Sequence, residues 1–274
     1  MQNNLVQPFL TPLTDLIKKT CLFVHNNSKY VCINNDKIKT FISENLNLFS
    51  NRPTWSECHF NVKDYEDKVD IIIAYTCVLD TLNFCFWPYS EEFEYGDLVN
   101  NLNRILRNNP DFYRSSYLMK LTELQLKEQL YNNKDFPLLD ERVKGLNELG
   151  YLIETKCQGK FENLIKICDY DILRLIDLIP KEISTFDDKS VYKGKQIYLF
   201  KRAQILAADL FSALNELSTP IILKNVEHLT MFADYRVPQI LRELGIFTYT
   251  EELAEKIDKM YTVFPGSEEE VKVT

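Results

Sequence analysis

Apolar residues recur every three to four positions along most of this chain, and this spacing constrains its fold more than any other feature. Such a stripe is typical of a helix that packs one face on a core. The stretches that show it are PLTDLIKKTCLFV, DKIKTFISENLNLF, KVDIIIAYTCVLDTLNFCFW, GDLVNNLNRILRNN, TELQLKEQLY, LLDERVKGLNELGYLIETKC, ENLIKICDYDILRLIDLI, FKRAQILAADLFSALNEL and TEELAEKIDKMY. Strand patterns are short and limited to KYVCIN, KQIYLF and EEVKVT. We therefore predict a mainly α protein with minor β elements.

The composition favours the same fold class and a single domain. Glycine occurs only 7 times in 274 residues, which disfavours a turn-rich all-β architecture. No repeat, low-complexity tract or Pro/Gly/Ser linker divides the chain, so we expect one helical domain over residues 1–274. The N-terminus lacks an apolar signal region, and the longest apolar run, Ile71 to Leu79, is too short to cross a bilayer. These features predict a soluble, cytoplasmic protein without a membrane partner.

Charge, cysteine content and missing motifs exclude several functions. The 32 basic and 40 acidic residues give a net charge of -8, which disfavours a broad nucleic-acid-binding face but leaves small anions as ligands. The 7 cysteines include no CxxC pair, so we expect reduced, buried thiols and no metal or other cofactor. GxGxxG, GxxxxGK[ST], GxSxG and HExxH are all absent. The sequence therefore disfavours binding of nucleoside triphosphates or dinucleotides. It also disfavours catalysis by a serine hydrolase or a zinc protease.

One carboxylate lies in an unusual place, within LTMFADYRVPQILRELG. Apolar residues over 237–244 have helical spacing, Pro238 suits a first helical turn, and Gly245 suits a left-handed C-terminal cap. We expect this helix to pack on a core. Asp234 precedes it among apolar neighbours. Asp234 is then either a structural carboxylate, which caps the helix or pairs with Arg236, or a ligand-binding group whose partner is the ligand.

Three further segments contain candidate residues, and each segment has a structural and a functional interpretation. His59, in WSECHFN, is either a satisfied core histidine or a ligand contact. Asn83, Phe84, Phe86 and Trp87, in LNFCFWP, provide flat apolar faces and one amide, and the set either belongs to the core or stacks on a planar heterocycle. Lys201 opens KRAQILAADL. If the helix begins near Phe200, its amides and Lys201 form a phosphate site, and if it begins earlier, Lys201 lies on a solvated face.

Several of these segments together resemble one known family. HF at His59, LNFCFW, DERVKGLNELG, FKRAQILAADL and LTMFADYRVPQILRELG are similar to the queuosine salvage protein family, the queuosine 5'-phosphate N-glycosylase/hydrolases. The resemblance runs from about Leu16 to the end of the chain. It implies a helical fold like that of DNA glycosylases. It also implies hydrolysis of the N-glycosidic bond of queuosine 5'-monophosphate, which releases queuine for salvage into tRNA.

The resemblance also implies roles for individual residues. His59, Phe232 and Asp234 match base-binding positions of the family, with the Asp234 carboxylate accepting from a guanine-like edge. Asn83 and Trp87 are weaker candidates for the same pocket, and Lys201 is a candidate for the 5'-phosphate. Family members carry a further C-terminal helical region with active-site aspartates, and the sequence given stops at Thr274 without one. The expectation is therefore that Asp234 binds the base and assists catalysis at most.

Two other functions compete with hydrolysis of the nucleotide. One is a catalytically impaired helical module that binds queuine or a nucleotide, which fits a chain without the C-terminal catalytic segment. The other is a glycosylase that acts on nucleic acid, which the fold analogy suggests and which the acidic balance disfavours. Release of free queuine from queuosine 5'-monophosphate distinguishes the enzyme from the module.

Overall fold

A computed structural model describes residues 13–86, 93–264 and 267 of the chain. Its α-helices are α1 (Leu13–Asn27), α2 (Asn35–Glu44), α3 (Leu46–Ser50), α4 (Trp55–Cys58), α5 (Val69–Leu82), α6 (Tyr95–Asn108), α7 (Ser115–Leu118), α8 (Glu123–Leu130), α9 (Leu139–Lys156), α10 (Glu162–Ile167), α11 (Ile172–Glu182), α12 (Lys201–Asn215), α13 (Val237–Glu243) and α14 (Glu251–Asp258). Its strands are β1 (Val31–Ile33), β2 (Lys189–Tyr192), β3 (Lys195–Tyr198) and β4 (Phe247–Tyr249). The predicted mainly α class with minor β elements is confirmed.

The described chain forms two compact units. Unit 1 combines the described parts of Met1–Arg52, Asp188–Lys201 and Thr230–Thr274, and unit 2 combines Pro53–Asp187 and Arg202–Leu229. Each unit is therefore built from segments that are distant in sequence. The expectation of a single domain over residues 1–274 stays a prediction.

Unit 1 holds the strands, which form two antiparallel pairs. β1 pairs with β4 in the register that places Val31 opposite Tyr249, and β2 pairs with β3. The β2–β3 hairpin packs on α1, where Tyr192 and Ile197 form a small buried cluster with Phe23 and Val24. The sequence patterns predicted β1 and β3 but missed their partners. The third predicted strand, EEVKVT, lies outside the described residues.

Unit 2 contains a helical core centred on α5. Every residue of α5 from Ile72 to Leu82 is buried, as expected for the longest apolar run. The long helix α9 packs on both α5 and the short helix α7. At the α7 contact, a Cβ on Gly150 would lie 2.4 Å from the Met119 nitrogen, so only glycine permits this approach. Gly150 is therefore a packing requirement of the core.

The sequence patterns placed several helix boundaries wrongly. α5 ends at Leu82, before the aromatic corner into which its stretch was expected to run, and DKIKTFISENLNLF is divided into α2 and α3 at Asn45. ENLIKICDYDILRLIDLI contains two helices, because Asp169 and Tyr170 have φ angles of 55° and 56°. The Tyr170 carbonyl then accepts a hydrogen bond from the Lys224 nitrogen at 2.7 Å. Periodicity cannot detect such breaks, because the apolar spacing continues through them.

The expected packing of α13 on a core is also wrong. Its bounds agree with the prediction, and Gly245 has the expected left-handed conformation with φ of 68°. However, Pro238 is its only buried residue, and 57% of Ile240 is exposed. α13 therefore packs beside β4 without being buried in a core.

Candidate functional site

Asp234 lies three residues ahead of α13 in unit 1, and both of its oxygens have partners. Oδ1 accepts hydrogen bonds from the backbone nitrogens of Arg236 at 2.8 Å and Val237 at 3.1 Å. Oδ2 lies 3.8 Å from Nζ of Lys201. The helix-capping alternative therefore describes part of what Asp234 does, and its ion-pair partner is Lys201 rather than Arg236. The Asp234 side chain keeps 29% exposure, so a ligand can still reach it.

Lys201 is the first residue of α12, as the phosphate-site alternative requires. The preceding residue, Phe200, has a φ angle of 44°, which turns the chain sharply into the helix. Only 14% of the Lys201 side chain is exposed, so it does not lie on a solvated face. The structure thus brings together two predicted site residues, Lys201 and Asp234, that are far apart in sequence. A phosphate contact by Lys201 stays a prediction.

Phe232 lies two residues before Asp234 and is half-buried. Its neighbour Met231 is exposed over 56% of its surface, so the apolar wall expected around the carboxylate is incomplete. The role of Phe232 as a cover for a ligand ring stays a prediction.

His59, in unit 2, follows α4 and has both ring nitrogens engaged. Nδ1 lies 2.8 Å from the Trp55 carbonyl oxygen, and Nε2 lies 2.7 Å from the Tyr95 hydroxyl. A carbonyl only accepts, so Nδ1 carries the proton and the neutral Nε2 accepts from Tyr95. Burial lowers the pKa of His59, which also favours the neutral ring.

The surroundings of His59 form an aromatic cluster. Its ring stacks on Trp55 with centroids 4.2 Å apart, and Trp55 also contacts Phe60 and Tyr75 edge to face. The satisfied-histidine alternative fits these contacts, since the nitrogens are held by the protein. A ligand would meet His59 through its ring or through Tyr95. Base binding by His59 stays a prediction.

The corner that follows α5 carries Asn83, while Trp87 lies outside the described residues. Asn83 is half-buried and caps the C-terminus of α5. Two buried arginines hold this corner: Arg142 donates to the Leu82 carbonyl at 2.5 Å and to the Phe84 carbonyl, and Arg202 donates to the Thr81 carbonyl at 2.6 Å. Their guanidinium carbons lie 4.3 and 4.0 Å from the Phe84 ring centroid. The arginines explain why α5 ends at Leu82, because they bind its last carbonyls.

The sequence patterns missed a polar stripe on α12 and just beyond it. Arg202, Asp209 and Glu216 are seven residues apart, which places them on one helix face within about 20° per step. Glu216 accepts from the backbone nitrogens of Trp55 and Ser56 and so caps α4, which precedes His59. Burial raises the pKa of Asp209 to about 6. The signal in the sequence was a single acid inside the apolar run ILAADLFSAL.

The described residues contain neither a cluster suited to a metal ion nor a helix able to cross a membrane. No group of three or more His, Cys, Asp or Glu side chains converges in these ranges. None of their helices is long and apolar enough to span a bilayer. All 7 cysteines are free, but only Cys77, Cys157 and Cys168 are buried, so the expectation of buried thiols holds for three of them.

Fold and site geometry together define a mainly helical protein whose polar clusters are centred on carboxylates. Comparison with known proteins shows which family of helical proteins this chain resembles. The family model described as "Queuosine salvage protein" matches residues 61–274. A "Queuosine 5'-phosphate N-glycosylase/hydrolase" of Dictyostelium discoideum is 35% identical over 273 residues, which cover 96% of this chain and 84% of that protein.

Two other relatives bear the same name. The protein of Sphaerobacter thermophilus is 32% identical over 81% of this chain and 70% of its own length, and that of Bos taurus is 30% identical over 93% and 80%. This chain belongs to the queuosine salvage protein family. The resemblance that the sequence motifs indicated is confirmed, and the expected class of N-glycosidase agrees with the names of these relatives.

Proposed function

We propose that this chain hydrolyses the N-glycosidic bond of queuosine 5'-monophosphate and releases queuine. The observation that carries this proposal is the family match over residues 61–274, which includes the Asp234 and Lys201 pair. The relatives' names supply the substrate, a small-molecule nucleotide. Salvage of queuine into tRNA by a separate enzyme, and a cytoplasmic location, belong to the same proposal.

The geometry of Asp234 supports its role in binding the base. A carboxylate has about four lone-pair sites, and the two amides of the α13 start occupy those of Oδ1. Oδ2 lies beyond hydrogen-bond distance of Lys201, so it keeps its capacity to accept from the ligand. A 7-deazaguanine edge presents two adjacent N–H donors. Because the amides fix Asp234 before the ligand arrives, little ordering free energy is lost on binding.

The chemistry also gives Asp234 a supporting part in bond cleavage. Departure of the base leaves a cationic, oxocarbenium-like ribose, which a nearby carboxylate stabilises. A 7-deazapurine has no N7 to protonate. Its departure therefore depends on hydrogen bonds to other edges of the base, or on a carboxylate that forms a full or partial bond to the anomeric carbon. We assign Asp234 to base binding with assistance to this step. Water adds to the anomeric carbon as the bond to the base nitrogen breaks, so that the ribose gains the hydroxyl and the departing base nitrogen gains the proton.

The other candidates receive roles that their surroundings permit. Lys201 provides a cation for the 5'-phosphate at the first turn of α12, where helix amides favour anions. Phe232 covers a face of the base, and His59 contributes a polar rim together with Tyr95. Asn83 and Trp87 are further candidates for contact with the base.

The alternative function is a helical module that binds queuine or a nucleotide without cleaving it. The test is incubation of the purified chain with queuosine 5'-monophosphate, followed by mass spectrometry for free queuine. Release of queuine at a rate proportional to protein concentration supports the hydrolase. Binding of the nucleotide without release favours the module. Asp111→Asn, which alters an exposed carboxylate, is the matched control for preparation effects.

A further inference from the structure

The chain turns sharply at the C-terminal end of α5, in a corner that is formed by Leu82, Asn83, Phe84 and Cys85. Asn83 has a φ of -78° and a ψ of 67°, and the Phe84 nitrogen donates to the Leu82 carbonyl at 2.9 Å. These values describe an inverse γ-turn centred on Asn83. Cys85 follows in the left-handed region with a φ of 50°, which costs free energy for any residue other than glycine. A backbone of this kind persists only where surrounding contacts hold it.

Arg142, on α9, supplies contacts to this corner. Its Nε donates to the Pro137 carbonyl at 2.9 Å. Nη1 donates to the Leu82 carbonyl at 2.5 Å, and Nη2 donates to the carbonyl of Phe84 and, at 3.0 Å, to that of Cys85. One guanidinium therefore binds the backbone immediately before and immediately after Asn83.

The burial of Arg142 costs free energy, because its charge leaves water. The residue is 0% exposed, and burial lowers its pKa. The rings of Phe84 and Phe136 have their centroids 4.3 and 4.5 Å from its guanidinium carbon and offset part of that cost. An apolar side chain of similar volume would fill the same space without desolvating a charge. What arginine adds is a planar set of donors that binds several carbonyls at once.

The side chain of Asn83 remains available to a ligand. It is half-buried, and its amide forms no hydrogen bond with another described residue. An asparagine amide presents an acceptor beside a donor, which matches a paired donor and acceptor on the edge of a planar base. Such a pair forms with the correct geometry only if the backbone that carries the amide is fixed.

We propose that Arg142 is a positioning residue, which fixes the backbone on both sides of Asn83 and so orients the Asn83 amide for hydrogen bonding to the ligand. This inference rests on the proposed function, in which Asn83 is a candidate for contact with the base. The residues that carry it all lie in unit 2. Because a fixed amide loses little freedom on binding, Arg142 contributes to affinity through Asn83 and not by a contact of its own.

The test is a double-mutant cycle on the affinity for queuine, measured by calorimetry with the full chain. We expect Asn83→Ala to weaken binding about 10-fold, as for the loss of two neutral hydrogen bonds. Arg142→Lys keeps the charge, but a single ammonium group cannot reproduce the planar set of donors. We expect it to weaken binding about 5-fold in the chain that has Asn83 and less than about 2-fold in the Asn83→Ala background.

Cys85→Gly is a second variant, which tests the inference where Arg142→Lys fails to fold. Glycine adopts the left-handed conformation without strain but also adopts others, so the corner loosens while the hydrogen-bonding groups of its backbone stay. We expect a weakening of queuine binding that again requires Asn83. Arg114→Lys is the matched control, because the Arg114 side chain is 71% exposed, and it should leave the affinity unchanged.

The outcomes separate this inference from the proposed function. Equal losses with and without Asn83 mean that Arg142 serves the fold as a whole, and the positioning role is overturned. Unchanged affinity in Asn83→Ala, or in every folded variant of Arg142 and Cys85, overturns it as well and leaves the proposed function intact. If the unsubstituted chain does not bind queuine, the proposed function fails and the inference fails with it. A loss of affinity that requires Asn83 supports the inference.

Discussion

Two aspartates, one in each unit, differ in what the protein provides for their charge. Asp234 in unit 1 has two backbone amides and Lys201 as partners. Asp209 in unit 2 has no hydrogen bond or ion pair with any described residue, and burial raises its pKa. The protein itself therefore stabilises the charge of the first carboxylate, whereas burial disfavours the charge of the second. The comparison shows that one fold can contain a carboxylate whose charge is compensated by the protein and another whose charge is not.

The groups that hold the polar residues in place also differ between the two units. In unit 2, Arg202 is 7% exposed and its guanidinium lies 4.7 Å from the Phe186 ring centroid. In unit 1, the anchoring groups are amides at the exposed start of α13. Unit 2 therefore places its cluster on a rigid core, and unit 1 places its cluster on a surface helix.

The largest effect that sharpens this comparison is expected at Arg202. Arg202→Met leaves the carbonyls of Thr81 and Thr185 without their donor. We expect the free energy of unfolding to fall by about 3 kcal/mol, from lost hydrogen bonds and newly unpaired buried groups. Urea denaturation measures it. Arg236→Met, at an exposed residue of unit 1, should change stability by less than about 0.5 kcal/mol. Equal losses of stability from the two substitutions would contradict the claim that Arg202 supports a buried core while Arg236 lies on the surface.

The second prediction concerns stability and pH at Asp209. Its folded pKa of about 6 lies above the ordinary value of 3.8, so folding disfavours the charged form. The loss of folding stability caused by ionisation of Asp209 is small at pH 4 and below. It grows as the pH rises toward 6 and reaches its full value above pH 6. Asp209→Asn should therefore stabilise the protein at pH 7.5 by about 2 to 3 kcal/mol and have little effect at pH 4.

Thermal or urea unfolding at the two pH values measures this difference. Asp234→Asn is the matched comparison, and no such gain is expected there because the protein already supplies partners to that carboxylate. If Asp234→Asn stabilised the protein at pH 7.5 and Asp209→Asn did not, the contrast between the two carboxylates would be contradicted.

A smaller effect is expected at Lys201. If Lys201 binds the 5'-phosphate, Lys201→Met should lower kcat/KM for queuosine 5'-monophosphate about tenfold more than for the nucleoside queuosine. An equal loss for both substrates would mean that Lys201 acts through Asp234 instead. Lys193→Met, at an exposed lysine of the β2–β3 turn, is the control.

The sequence predicted those features that repeat over many residues. The apolar stripes of α1, α5, α9 and α12 gave these helices, because a long period survives local exceptions. The positions at which helices end were harder to predict from the sequence. α5 stops at Leu82 because Arg142 and Arg202 bind its final carbonyls, and both arginines are remote in sequence. β4 was missed because its three residues gain their pairing from β1, more than 200 positions earlier.

The candidate site was predictable in part for the same reason. Asp234 was singled out by its position ahead of a helix, but its partner Lys201 could be found only in the fold. Asp209 was missed because one acid in an apolar helix resembles an ordinary exposed position. Its spacing from Arg202 and Glu216 was present in the sequence, but the meaning of that spacing depends on which helices the two anchors bind.

The most direct test of the account is calorimetric titration of queuine into Asp234→Asn. The asparagine oxygen can still accept from the α13 amides, so the local fold is kept while Oδ2 becomes an amide that cannot accept. We predict a loss of about 1.5 to 3 kcal/mol in binding free energy relative to the unsubstituted chain. Affinity equal to that of the unsubstituted chain would contradict the assignment of Asp234 to the base.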